Sequence, residues 1–329
     1  HDPMPLILPE EEVRALISIP DLVPLMERTL GQFSAGEVDQ PLRSVLGIGP
    51  DRSFCGVMAA ALHDPAAVGT KLITIVDRNH DRGLPSHLAT VVLLDPETGA
   101  LIALLGGRYI TEARTPAVSA MAARHLAVPG RQSLALLGSG VQARSHFEAF
   151  SRTLEVETAR VWSPNASHRE RFVETAAASS GVSITAASSA EEAVREATLV
   201  VLATSSAVPV VDSAWVADGA HVTSVGAPVP DQREIDPRLV ARARVIVDSR
   251  AAALAESGDI VQGIAEGRFE ATQIAGEIGE VVNGTCQGRT SPSEVTLFKS
   301  LGMAVEDIAA AHLAYTRARE QGRGQEVEL

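Results

Sequence analysis

The chain has 329 residues, enough for about two domains, and its 45% hydrophobic and 21% charged residues are those of a folded chain rather than a disordered one. With 28 Lys and Arg against 41 Asp and Glu the net charge is −13, which repels nucleic acid and anionic lipid at long range and excludes both as expected partners. Two cysteines, Cys55 and Cys286, are too few for a disulfide framework, no apolar run reaches the roughly 18 residues of a membrane span, and aromatics supply only 3%, so a core of Ala, Val, Leu and Ile in α/β layers within a reducing, cytoplasmic setting is expected.

The first residues, HDPMPLILPEEE, lack the charged and apolar regions of a signal peptide, and His1 stands where an initiator Met is expected, so it is read as a cloning remnant. Residues 9–18 place Pro and three Glu in a first helical turn, where they suit the helix dipole, and Asp21 is the expected cap of a second helix reaching Ser34. The pattern then turns β-rich: VGTKLITIV (68–76), LATVVLLD (88–95) and ALIALLGG (100–107) read as strands, the last two joined as an antiparallel hairpin by Pro96, Glu97, Thr98 and Gly99. A helix follows over TEARTPAVSAMAARHL (111–126), in which Pro116 is best accommodated with Thr115 as cap and Pro116 in the first turn.

From there a second rhythm begins. Short apolar strands are predicted at 133–138, 159–163, 182–186, 198–204, 220–226 and 244–249, with helices at 166–178, 189–197 and 236–243 between most of them. Strand and helix in alternation predict a parallel sheet covered on both faces, a Rossmann-like doubly wound α/β domain over residues 119–299. Residues 1–118 form a β-rich α+β domain, completed by 300–329. The helix predicted at 301–320 packs back on it, and the closing QGRGQEVEL is expected to be disordered.

Two groups of residues carry chemistry. Gly138, Gly140 and Ala143 in GSGVQA form a GxGxxA loop after an apolar strand and before a helix, where backbone amides and the helix N-terminus favour a pyrophosphate; the alternative is a tight turn without a ligand. The tip of the next strand, Ser163, Pro164 and Asn165, has no acid to grip a ribose 2′-hydroxyl, and His168, Arg169 and Arg171 follow. NADPH is therefore favoured with NADH compatible, unless those arginines are only a solvated helix face. In the first domain three cations stand out, Arg43 in PLRSV, Lys71 in GTKLIT and Arg114 in TEART, and Lys71, in the middle of an apolar strand, needs either a polar cavity or a partner; the alternative is an ordinary surface lysine. Together they suit a small carboxylate.

Five segments in order, GLPSHLATVVLLDPETGALIALLGGRYITEARTPAVSA, GSGVQARSHFEAF, SVGAPVPDQREID, VDSRAAALAESGDI and FKSLGMAVEDIAAA, resemble the ornithine cyclodeaminase/mu-crystallin family, over about residues 40–318. The PSH, TKLIT and GVQAxSH stretches are most similar to its mu-crystallin branch of ketimine reductases. The resemblance implies a homodimer, a β-rich substrate and dimerisation domain beside a Rossmann domain, and an active site between them. It further implies that Lys71 and Arg114 are catalytic, that Arg43, Ser86 and His87 bind substrate, and that Thr115, Gly138, Gly140, Val141, Gln142, Ser163, Asn165, Thr204, Ser205, Val225, Gly226, Ala227, Ser300 and Leu301 line the dinucleotide.

Two departures qualify it. Cyclodeaminases of the family have an Asp after the VG glycine, where this chain has Gly226, Ala227 and Pro228, which points to reduction of a cyclic imine acid and away from ornithine cyclisation. Pro164 replaces an Arg of the mu-crystallin branch suited to a 2′-phosphate. The alternatives are an amino acid dehydrogenase of the alanine or N-alkyl type, a cyclodeaminase, or a non-catalytic NADPH-binding protein. Lys71 is either a proton donor or only a clamp. No metal is expected: His63, His80, His125 and His146 lack ligand spacing, Cys55 and Cys286 read as packing thiols, and Asp248, Glu256 and Asp259 as organisers of helix termini.

Overall fold

In a computed structural model, which describes residues 4–49, 53–178 and 180–328, the chain divides into two compact units. One runs to Arg114 and resumes at Met303; the other is Thr115–Gly302. His1 and Leu329, on which two of the expectations fall, lie outside the described residues.

The first unit holds β1 (Leu6–Leu8), α1 (Glu10–Leu16), α2 (Ile19–Ser34), β2 (Val38–Asp39), β3 (Ser44–Gly47), β4 (Phe54–His63), β5 (Ala66–Ile75), β6 (His87–Leu94) and β7 (Leu101–Gly106). Helix α3 (Arg108–Leu126) carries the chain across the boundary. Strands β4 to β7 form an antiparallel meander, with β1 added in parallel to β7. Asp95 shapes the predicted β6–β7 turn by accepting from the amides of Glu97 and Thr98 at 3.0 and 2.8 Å.

Two helix starts differ from expectation. Ser18, not Asp21, is the N-cap of α2; Asp21 sits three residues on and its carboxylate accepts from the Ser18 amide at 3.0 Å, so the two cap each other's backbone. Helix α3 begins before Thr115 and keeps Pro116 in its interior. Its first amides, of Arg108 and Tyr109, donate to the Glu10 carboxylate at 2.7 and 2.9 Å, a cap supplied from far along the chain.

The second unit contains β8 (Gln132–Leu137), α4 (Val141–Thr153), β9 (Val156–Trp162), α5 (Ala166–Ala177), β10 (Ser183–Ala186), α6 (Ala190–Val194), β11 (Leu199–Leu202), β12 (His221–Ser224), α7 (Pro237–Arg242), β13 (Arg244–Val247), α8 (Arg250–Glu256), α9 (Gly258–Ala265), β14 (Ile274–Glu277), α10 (Ile278–Val282) and β15 (Thr296–Lys299). These strands form one parallel Rossmann-like sheet in the order β10-β9-β8-β11-β12-β15-β13-β14. The chain builds outward from β8 to β10, then crosses to the other side of β8 at β11. The carboxyl ends of β8 and β11 therefore flank the topological switch point, where a parallel sheet opens a crevice for a ligand. Core residues such as Leu137, Val200, Leu202, Val222, Val245 and Leu297 are buried, as strands covered on both faces require.

The chain then returns to the first unit as α11 (Ala304–Gln321) and β16 (Gln325–Glu326). Much of the tail expected to be disordered is thus ordered: β16 pairs antiparallel with β1, and the Val327 amide donates to Pro5 at 3.0 Å. Ion pairs from Arg319 to Glu326 and from Arg323 to Glu12 fasten it, and a strand of two polar residues carries no sequence periodicity that reveals it.

Candidate active site

Lys71 lies on the inward face of β5, in register with Met58 on β4 and Val91 on β6, and is 1% exposed. Its partner comes from the first turn of α11. Nζ lies 2.6 Å from Asp307 Oδ2 and donates to Thr111 Oγ1 at 3.3 Å. Arg114 reaches the same acidic pair from α3: Nε donates to Asp307 Oδ1 at 2.9 Å and Nη1 to Glu306 Oε2 at 2.6 Å. The helix can come this close because β5 presents Gly69, where a Cβ would stand 2.2 Å from the Val92 carbonyl and 3.1 Å from Ile308. Gln40 caps the helix start by accepting from the Val305 amide at 2.8 Å.

The electrostatics follow from that burial. Desolvation lowers the Lys71 ammonium to about 8, with the Arg114 and Arg43 charges adding to the fall and Asp307 opposing it. Burial alone would push the Asp307 carboxyl up, but Arg114 and Lys71 draw it below its ordinary value. His87, at the start of β6, is lowered to about 4 by burial and by the Lys71 and Arg114 charges, and is therefore neutral near pH 7. Its Nε2 is buried without a hydrogen-bond partner among the described residues. Ser86 precedes it and accepts through its carbonyl from the Val76 amide at 2.8 Å. The structure thus brings Lys71, Arg114 and His87 within mutual electrostatic reach, with the Arg43 charge acting on Lys71. Sequence reasoning missed Glu306 and Asp307, whose acids read as ordinary first-turn residues of a helix.

In the second unit the other candidates lie on loops leaving the carboxyl ends of parallel strands. Gly138 follows β8 with φ 120°, and a Cβ there would stand 2.3 Å from the Ala203 carbonyl after β11, so this crossing requires glycine. Gly140 caps α4 and has open space where its Cβ would be, the condition for a phosphate to approach the amides of a 13-residue helix. Val141 is exposed at that start, and the Gln142 carbonyl is held by His146 Nδ1 at 2.7 Å, with His146 Nε2 2.8 Å from Ser119 Oγ. These residues fit a dinucleotide.

Ser163, after β9, accepts through its Oγ from Ser139 Oγ at 2.9 Å, and its carbonyl accepts from Arg169. Arg169 is thereby folded back to the strand tip. Asn165 serves as the N-cap of α5, accepting from the His168 amide at 3.2 Å. Thr115 is buried on α3 and Ser205 is exposed after β11.

Thr204, Gly226 and Ser300 are each held by a buried acid. Glu234 accepts from the amide and hydroxyl of Thr204 at 3.1 and 2.8 Å, from Ser224 Oγ at 2.6 Å and from the Gly226 amide at 2.8 Å. Its carboxyl is raised by burial and by Asp259 against the pull of Lys299. Asp248 Oδ2 accepts from Ser300 Oγ and from the Leu301 and Gly302 amides at 3.1, 2.6 and 2.8 Å. Asp259, expected to organise a helix terminus, also binds the Glu234 and Ile235 amides at 2.8 and 2.9 Å and pairs with Lys299; its place two residues beyond the cap of a short helix concealed this. Val225 and Ala227 flank Gly226, and Ala227 has a left-handed φ of 51°.

The sequence pattern of the ornithine cyclodeaminase/mu-crystallin family matches residues 4–322. Ketimine reductase mu-crystallin of Mus musculus is 40% identical over 315 residues, 94% of this chain and 96% of that protein. Among solved structures, Thermococcus litoralis Delta(1)-pyrroline-2-carboxylate reductase, in complex with NADH and L-proline, superposes with a TM-score of 0.95 at 35% identity, covering 98% of this chain and 100% of the other. An archaeal alanine dehydrogenase dimer with bound NAD gives 0.94 at 30% identity over 99% of each chain.

Proposed function

The chain belongs to the ornithine cyclodeaminase/mu-crystallin family, and we propose that it is an NAD(P)H-dependent reductase of a cyclic ketimine carboxylic acid, of the 1-pyrroline-2-carboxylate or 1-piperideine-2-carboxylate type, yielding the cyclic amino acid. The observation that carries this reading is the buried Lys71, held by Asp307 beside Arg114 and a neutral His87. A nicotinamide dinucleotide, for which the glycine loop after β8 is suited, would supply the hydride when bound. Everything else is asked of the chain's own side chains.

Arg114, its guanidinium plane fixed by Glu306 and Asp307, and Arg43 hold the substrate carboxylate, for which bidentate guanidinium contacts are suited. His87 offers an uncharged ring nitrogen that neither repels the cations nor takes up their proton. Lys71, lowered to about 8, delivers the proton that the imine nitrogen needs as the carbon is reduced, and Asp307 aims it. The product is a secondary amine, and proton and hydride are both accounted for. Pro228 stands where a cyclodeaminase of the family has its acid, which favours reduction over loss of ammonia.

Arg169, turned to the Ser163 carbonyl at the strand tip, supports NADPH as the preferred donor by placing a cation where a 2′-phosphate would lie. Arg169→Ala is expected to raise the KM for NADPH and leave that for NADH little changed; equal changes would remove the preference. A homodimer formed through the open face of the first unit's sheet completes the reading.

The direct test is consumption of reduced nicotinamide with a preformed cyclic imine acid, set against pyruvate with ammonia or methylamine. Lys71→Ala and Arg114→Ala are each expected to lower kcat/KM by about 10²-fold or more. Wild-type turnover in either variant would discard this site.

A further inference from the structure

The first turn of α4 is braced by a buried imidazole that the proposed chemistry leaves unused. His146 on α4 and Ser119, on the part of α3 that belongs to the second unit, are both fully buried. His146 Nδ1 lies 2.7 Å from the Gln142 carbonyl, and Nε2 lies 2.8 Å from Ser119 Oγ. A carbonyl only accepts, so Nδ1 carries the ring proton. Burial lowers the ring to about 4, which leaves it neutral near pH 7 with Nε2 as an acceptor. Ser119 has one hydroxyl proton and two acceptors in reach, Nε2 and the Thr115 carbonyl at 3.2 Å. Nε2 is the nearer and has no other donor among the described residues, so the proton goes there and fixes the tautomer.

The donors therefore run one way, from the Ser119 hydroxyl to the imidazole to the Gln142 carbonyl. In a helix that carbonyl already has the amide four residues on as its partner, so the imidazole is a second donor to a group that does not need one. The neighbouring residue repeats the device: Ser145, also buried, donates through its Oγ to the Val141 carbonyl at 3.0 Å. What the extra donors fix is the peptide units. The Val141 carbonyl shares a plane with the Gln142 N–H, and the Gln142 carbonyl with the Ala143 N–H, so bonding each carbonyl orients and polarises the N–H opposite. The first amide with a helical acceptor is that of Arg144, which donates to the Gly140 carbonyl at 3.1 Å. The two braced N–H groups precede it and belong to the amides that a helix start offers to a ligand, where Gly140 leaves open space.

We propose that Ser145 and His146 are positioning residues for the pyrophosphate of the dinucleotide: they fix the first two peptide units of α4 so that the Gln142 and Ala143 N–H groups are aimed and strengthened as anion donors, and Ser119 holds the imidazole in the tautomer this needs. This rests on the reading that a dinucleotide binds the glycine loop. It gives the Ser-His that closes the GVQAxSH stretch a use beyond packing. An apolar side chain in place of His146 would fill the space between α3 and α4 without burying polar groups, but would leave the Gln142–Ala143 peptide to the helix alone.

Calorimetric titration of NADPH and of NADH into wild type and variants, with thermal unfolding of each variant alone, tests this. His146→Asn places a side-chain N–H near the Nδ1 position and keeps the donor to Gln142, whereas His146→Gln reaches the Nε2 position and keeps only Ser119. His146→Gln should weaken both dinucleotides about tenfold, the size of one hydrogen bond, and His146→Asn about threefold or less. Packing alone predicts the reverse order, because Gln is nearer to His in volume. With a cyclic imine acid the loss should appear in the KM for the dinucleotide, with kcat at saturating cofactor within about twofold of wild type. Ser145→Ala serves if the His146 variants do not fold: Ala is the better helix former, so its unfolding midpoint should be equal to wild type or higher while both dinucleotides bind about threefold more weakly. Equal affinities of the Asn and Gln variants, or wild-type affinity in Ser145→Ala, would overturn the proposal. Failure of the wild type to bind either dinucleotide would instead overturn the reading beneath it.

Discussion

An ammonium inside a β-sheet is tolerated only if something returns the hydration it has lost, and at Lys71 the return is partial. Asp307 pairs with it, but Arg114 shares the same carboxylate, and the net effect of burial leaves Lys71 lowered to about 8. Lys71 is the acid form below that value and loses its proton above it. Turnover of a preformed cyclic imine should therefore be level on the acid side and fall by about tenfold per pH unit above about 8. Because the Asp307 charge raises the Lys71 value, Asp307→Asn should move this alkaline limb to lower pH. A pH profile of kcat/KM checks both statements, and a limb that stays in place would make Lys71 a clamp rather than a donor. Lys71 was legible as a cation with nowhere to go in an apolar strand. Its acidic neighbours were not, since Glu306 and Asp307 lie 192 and 193 positions beyond Arg114 and their spacing matches any helix N-terminus.

At the scale of elements, local signals were read where the physics is local. The alternation of apolar strands and helices, the Asp95 turn and the glycine loop each depend on residues within a few positions of one another. Insertion of β15 between β12 and β13, and the addition of β16 to β1, depend on pairings that no window of sequence contains. The start of α3 is similar: Glu10 caps it from 98 positions away, so the helix extends upstream of the point where Thr115 and Pro116 suggest a beginning. Glu10→Ala should cost about 1 kcal/mol in denaturant unfolding, the ordinary value of a lost cap. Gly69→Ala should cost more, because the obstructing atom is the backbone carbonyl of Val92 and moving it disturbs the β5–β6 ladder. About 1–3 kcal/mol is expected for such overpacking, together with a loss of turnover as α11 is pushed from β5. An unfolding midpoint equal to wild type for Gly69→Ala would mean that the strands yield more easily than their hydrogen bonding implies.

For the whole molecule, the feature that calls for a partner is the outer face of the first unit's sheet. Helix α11 packs on β4, β5 and β6 from one side, where Met58, Ala60, Lys71, Val91 and Leu93 are buried. The alternate residues point the other way, and among them Leu72 is 42% exposed and Leu88 41%, with Leu46 on β3, in register with Cys55, at 62%. A sheet with one face on its core is expected to show polar residues on the other, so this apolar face departs from the pattern of an isolated antiparallel sheet. A net charge of −13 keeps chains apart at long range, which means that association must come from short-range burial over about 1,200–2,000 Å². A second copy offers that burial, since the same face meets itself across a two-fold axis. Leu72→Glu places a carboxylate in the middle of this face without touching the Lys71 side of β5, and the two copies would bring like charges together. Light scattering after gel filtration should then show wild type at the mass of two chains and Leu72→Glu at that of one, with far-UV circular dichroism unchanged. A variant that remains two chains, or a wild type that is one, would place the partner elsewhere or remove it.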